Sequence, residues 1–141
     1  MFRTMTRDAR IFTLTGDTLP DITDPSWSTV EVALWALSDS GNTFIVLSTA
    51  DHEFLQTSGV PASLVIEVKR KEDNGEYRQY RLCRKGAWKK DRTAAQAYVL
   101  DITDALQCFE AYYECREVPR HYALNPLEDF IAETLVECSR T

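Results

Sequence analysis

The chain has 141 residues, 44% of them hydrophobic and 27% charged, and a formal net charge of −6. A chain of that size and composition suits one domain and can build a core without disulfides or metal, which excludes disorder throughout. No run approaches the ~20 apolar residues of a membrane helix, and the opening Met1–Asp8 lacks the apolar stretch of a secretion signal, so a cytoplasmic protein off the membrane is expected.

Residues 1–10 are polar and read as mobile. Ile11–Thr15 has the composition of a short strand, whereas Gly16–Asp24, with Pro20 and several aspartates, reads as a loop. A first helix is expected from Ser28. Ser28 and Glu31 have the spacing of a capping box, in which each side chain bonds the other residue's backbone N–H. Val30, Ala33, Leu34 and Leu37 then recur on one helical face, and Val32, Trp35 and Ala36 widen the apolar surface. The turn chemistry of Ser38–Asn42 ends the helix.

Thr43–Ser48 is an apolar run rich in β-formers and reads as a strand buried on both faces. After a turn at Thr49–His52, Glu53–Thr57 is a second strand, and Gly59 and Pro61 break the chain. Leu64–Lys69 is a third, with Leu64, Ile66 and Val68 on one face. Asp73-Asn74-Gly75 supplies the positive φ angles of a hairpin turn, and Glu76–Arg84 returns with Tyr80 and Leu82 on one face.

Residues 85–98 are basic and irregular and read as a surface loop or insertion. A second helix spans about Ile102–Glu114, capped by Asp101 with Asp104 three residues on. Its buried face carries Ala105, Phe109 and Tyr112, its wet face Glu110 and Glu114, with Glu117 beyond. A third helix is expected from Asn125, with Pro126 at its first position. The expected fold is α+β: a single domain over 1–141, with an antiparallel sheet of four to five strands packed by about three helices.

The chain contains no phosphate-binding glycine loop, no His-Glu-x-x-His, no Gly-x-Ser-x-Gly and no EF-hand loop. Its cysteines, at 83, 108, 115 and 138, form no Cys-x-x-Cys pair and read as reduced, mostly packed thiols. Neither cofactor nor metal is expected. The sharpest enzymatic option is a Cys83 nucleophile approached in the fold by His52 or His121, but no catalytic residue is assigned and a non-enzymatic domain is the expectation. The paired carboxylates Asp101/Asp104 and Glu110/Glu114 have capping and solvation explanations.

Charge is unevenly spread: residues 61–100 hold ten basic and five acidic groups, while both flanks are acidic. Two readings follow. An acidic surface of Glu110, Glu114 and Glu117 would receive a basic protein, and Trp88, beside Lys89 and Lys90, is a candidate hot spot for the same partner. Alternatively Arg78, Arg81, Arg84 and Lys89, interleaved with aromatics, would bind nucleic acid. The net acidity and the interrupting carboxylates place nucleic acid second.

One pattern goes further. Phe54-Leu55-Gln56 precedes a glycine break; Leu64-Val65-Ile66-Glu67 and Tyr77-Arg78-Gln79-Tyr80 follow across a hairpin; Asp104, Ala105, Phe109 and Tyr112 lie on a helix. Over residues 28–115 this resembles the small bacterial immunity proteins of polymorphic-toxin and contact-dependent inhibition systems. The chain departs from that pattern in residues 85–98 and in having no tryptophan after the Phe109 helix. The resemblance implies stoichiometric inhibition of a cognate toxin in the cytoplasm. A nuclease with a basic cleft would suit the net charge.

Overall fold

The computed structural model describes residues 11–38, 41–85 and 98–128. One antiparallel sheet is built from β1 (Phe12–Gly16), β2 (Leu19–Thr23), β3 (Phe44–Thr49), β4 (Phe54–Val60), β5 (Ser63–Lys71), β6 (Tyr77–Arg84) and β7 (Tyr122–Pro126). Its spatial order is β2-β1-β3-β4-β5-β6-β7. Helix α1 (Trp27–Trp35) connects β2 to β3, and α2 (Ile102–Cys115) precedes β7. The α+β class and the antiparallel sheet are as expected. The sheet is larger than four to five strands, and two helices rather than about three stand among the described residues.

Successive strand residues point to opposite faces. Phe12 and Leu14, Ile45 and Leu47, Leu55, Leu64, Ile66 and Val68, and Tyr80 and Leu82 therefore share one face, and all are buried. Val30, Ala33 and Leu34 of α1, Leu37 just beyond it, and Ala105, Cys108, Phe109 and Tyr112 of α2 join them in a single core. Both helices thus cover the same side of the sheet. Each large apolar side chain fully buried here contributes about 1.5–3 kcal/mol.

Four local expectations are corrected. Gly16–Asp24 is not all loop: Leu14 pairs with Ile22 and Thr13 with Thr23, making β2. Pro20 is tolerated there because β2 is an edge strand, where a missing N–H breaks no ladder. Helix α1 is capped by Ser26, not Ser28: the Thr29 N–H donates to Ser26 Oγ at 3.2 Å, and Ser28 lies inside the first turn. Strand β3 is buried on one face only, with Phe44, Val46 and Ser48 partly accessible on the other. Finally, Asn125 and Pro126 do not open a helix. They pair with Arg81 and Tyr80 as the end of β7. Leu127 and Glu128 are helical, and the remainder of that expected helix lies outside the described residues. So do residues 1–10 and 86–97. Among the described residues no helix is long and apolar enough to cross a membrane.

Candidate functional site

Helix α2 is held at both ends. At its start Asp101 and Asp104 form the expected box: the Asp104 N–H donates to Asp101 Oδ1 at 3.1 Å, and the Asp101 N–H donates to Asp104 Oδ2 at 2.9 Å. Asp104 is buried and also accepts the Tyr122 hydroxyl, at 2.6 Å, and the Arg84 guanidinium. Burial pushes the Asp104 carboxyl up, but the Tyr122 hydroxyl, the Asp101 N–H and Arg84 outweigh it and hold its pKa below 3.8. Arg84 is correspondingly raised, chiefly by its bond to Asp104. Nearby, burial pushes the Cys108 thiol up to about 12 and raises the Tyr122 hydroxyl. A carboxylate locked ionised beside a thiol and a phenol locked neutral does not exchange protons near pH 7. The group ties α2 to β6 and β7.

At the other end Arg116 adopts a left-handed conformation (φ 59°) as the C-cap. Its guanidinium reaches Asp51 at 2.9 Å and Glu53 at 2.7 Å, at the β3–β4 turn. Beside it, the Tyr113 hydroxyl donates to the Pro25 carbonyl at 2.9 Å, and its ring lies 5.8 Å from both Trp27 and Phe12. The end of α2 is therefore clamped to the start of α1 and to the sheet. Glu110 and Glu114 stand exposed on the resulting rigid outer face, and Glu117 is exposed just past the cap.

The outer surface of α1 turns apolar toward its C-terminal end. Val30, Ala33 and Leu34 take the inward side, which leaves Ser28, Val32 and Trp35 in the outward row, seven residues covering two turns. Val32 is 66% and Trp35 58% exposed. Neither α1 (WSTVEVALW) nor α2 (ITDALQCFEAYYEC) contains a Lys, Arg or His. The periodicity of α1 already set Val32 and Trp35 off its main apolar stripe. In the sequence they read merely as a wider stripe, because their exposure depends on where the sheet lies.

The arginines of the alternative surface are not brought together. Arg78 alternates with Tyr80 and Leu82 toward the helix side, and its Nε and Nη2 both donate to Glu128 Oε1, at 3.0 and 2.7 Å. Arg84, on the same side, meets Asp101 at 3.5 Å as well as Asp104. Arg81 points to the opposite face and bonds Glu67, at 2.8 Å from Nε and 2.5 Å from Nη2. Gln56 and Gln79 also donate to Glu67, at 2.8 and 2.9 Å, which explains how a carboxylate only 7% exposed is satisfied on that face. Trp88 and Lys89 lie outside the described residues.

Cys83 is fully buried, packed with Tyr98 and Ala123, and its sulfur accepts from Asn125 Nδ2 at 3.3 Å. His52 is exposed in the β3–β4 turn, and His121 Nε2 meets Gln107 Oε1 at 3.1 Å. A shallow depression at the β5–β6 turn is bounded by Glu72, Asp73, Glu76, Arg78 and Glu128. Among the described residues no three His, Cys, Asp or Glu are placed to hold a metal. The chain matches no family model, no curated protein and no solved structure.

Proposed function

We propose that this chain is a non-enzymatic protein-binding domain, an immunity protein that neutralises a cognate bacterial toxin by occluding it. The observation that carries the reading is the helical layer. Two helices without a single cationic residue present Glu110 and Glu114, with Glu117 beside them, on a face clamped from both ends. A fixed array of carboxylates attracts a basic surface over about a Debye length and accelerates encounter without catalytic machinery. The resemblance over residues 28–115 supports the toxin as the partner class and the cytoplasm as the place of action. A nuclease is the toxin class that suits the acidity.

Nucleic-acid binding through Arg78, Arg81, Arg84 and Lys89 is the second reading. It draws support from the basic composition of β5 and β6. It stands behind the first because its three described arginines divide between two faces of the sheet and each meets a carboxylate.

The test is capture with the tagged full-length chain from lysate and secreted fraction of the native host, read by mass spectrometry with and without nuclease treatment. A stoichiometric, nuclease-resistant, toxin-like partner is expected. Heterogeneous material lost on nuclease treatment would overturn the inhibitor reading and favour the second.

A further inference from the structure

The cations of the described strands and helices are unevenly placed. Lys69, Arg70 and Lys71 lie on β5 and Arg78, Arg81 and Arg84 on β6. The helices carry none. Of the two arginines that follow α2, Arg116 is turned onto Asp51 and Glu53 with its side chain only 15% exposed, and Arg120 is exposed. Within the helical layer the outward row of α1 ends in Val32 and Trp35, which among the described residues are the two most exposed large hydrophobic side chains. Neither is part of the core, whose share of α1 is Val30, Ala33 and Leu34, with Leu37 just past the helix.

We infer that Val32 and Trp35 are the anchor of the partner interface, and that the occupant is a basic protein surface with an apolar recess. The inference rests on the protein-binding reading above and adds the contact that holds the complex once charge has brought it together. The argument for this occupant is charge complementarity. A second copy would set one acidic helical layer against another, which like-charge repulsion disfavours. A basic surface is drawn by Glu110 and Glu114 of α2, and α1, packed beside that helix, offers an exposed tryptophan. Tryptophan is the residue type that most often dominates binding energy when a ring of neighbouring contacts excludes water from it. The two features then divide the kinetics. Exposed rim carboxylates govern association and its salt dependence, and the desolvated aromatic governs dissociation.

The experiment places the photo-crosslinker p-benzoylphenylalanine at position 32, 35 or 79 of the full-length chain and irradiates it in the native host. Position 79 lies on the sheet face away from the helices. Adducts from 32 and 35 with one protein of net positive charge, absent from 79, are expected, with yield at 35 falling about tenfold when Glu110→Gln and Glu114→Gln are introduced together. An adduct with a second copy of the chain, or adducts from 79 but not from 32 or 35, would overturn the anchor while leaving a protein-binding function standing. Absence of adducts from all three positions overturns the anchor too; if full-length capture also recovers no stoichiometric protein, the binding reading falls with it. An adduct from 35 whose yield ignores the glutamate changes would overturn the basic occupant alone.

Discussion

Asp104 accepts bonds from three directions: the Asp101 N–H of its own helix, the Tyr122 hydroxyl of β7 and the Arg84 guanidinium of β6. Replacing it by Asn removes the charge that two of these partners answer. Arg84 is half exposed, so water takes over part of its bond and the loss is discounted. Asp104→Asn is expected to destabilise the fold by about 2 kcal/mol, read from urea unfolding at neutral pH. Its pH signature has a definite sign. Asp104 and Asp51 both have folded pKa values below the ordinary 3.8. Their stabilisation is therefore complete above about pH 4 and is lost as pH falls through the folded values. Melting temperature should drop in that acid window for the natural chain, and less steeply for Asp104→Asn. An equal slope in both would remove Asp104 as a source of acid sensitivity.

At the scale of elements, two glycines separate two physical effects. Gly59 lies near the end of β4 at φ +118°, and a Cβ there would sit 2.3 Å from the Ser63 carbonyl oxygen. Gly75, in the β5–β6 turn at φ +86°, opens onto empty space. Gly59→Ala combines strain with a backbone clash and should cost about 3 kcal/mol; Gly75→Ala meets strain alone, about 1 kcal/mol. Comparable losses in chemical denaturation would mean that the β4–β5 junction relaxes around the new methyl. The cap of α1 gives a second paired test. Ser26→Ala should cost about 1 kcal/mol, whereas exposed Ser28→Ala should stay within about 0.5 kcal/mol. The reverse order would restore the cap that the Ser28–Glu31 spacing suggests. That spacing misleads because two serines compete within one turn, and the choice between them depends on where Pro25 enters. Its carbonyl is held by Tyr113, 88 residues away.

For the whole molecule, exposed carboxylates on helices that carry no cation predict salt-sensitive association. Changing Glu110→Gln and Glu114→Gln together should slow binding to the captured partner about tenfold at low salt and flatten the salt dependence. Unfolding midpoints should not move, since both side chains are exposed. An unchanged association rate in stopped-flow measurements would place the interface elsewhere. The basic strands are not a comparable free field. Arg78, Arg81 and Arg84 engage Glu128, Glu67 and Asp104, so much of their charge is answered within the chain.

The sequence by itself determined the elements whose signals are local. The Asp101–Asp104 box and the 3.6-residue stripe of α2, the Asn74-Gly75 turn and the alternation of Leu64, Ile66 and Val68 each lie within a few residues, and each is present in the fold. The tertiary structure alone decided what depends on distant partners. β2 exists because β1 offers it an edge, and Asn125 and Pro126 join β7 because β6 is there to pair with them. Arg78 meets Glu128 across 50 residues and Arg84 meets Asp104 across 20, so a run of cations read as one basic surface is distributed over separate carboxylates. The exposure of Trp35 belongs to the same class. Periodicity says which residues share a helical face, but only the packing of that helix against the sheet decides which face meets water.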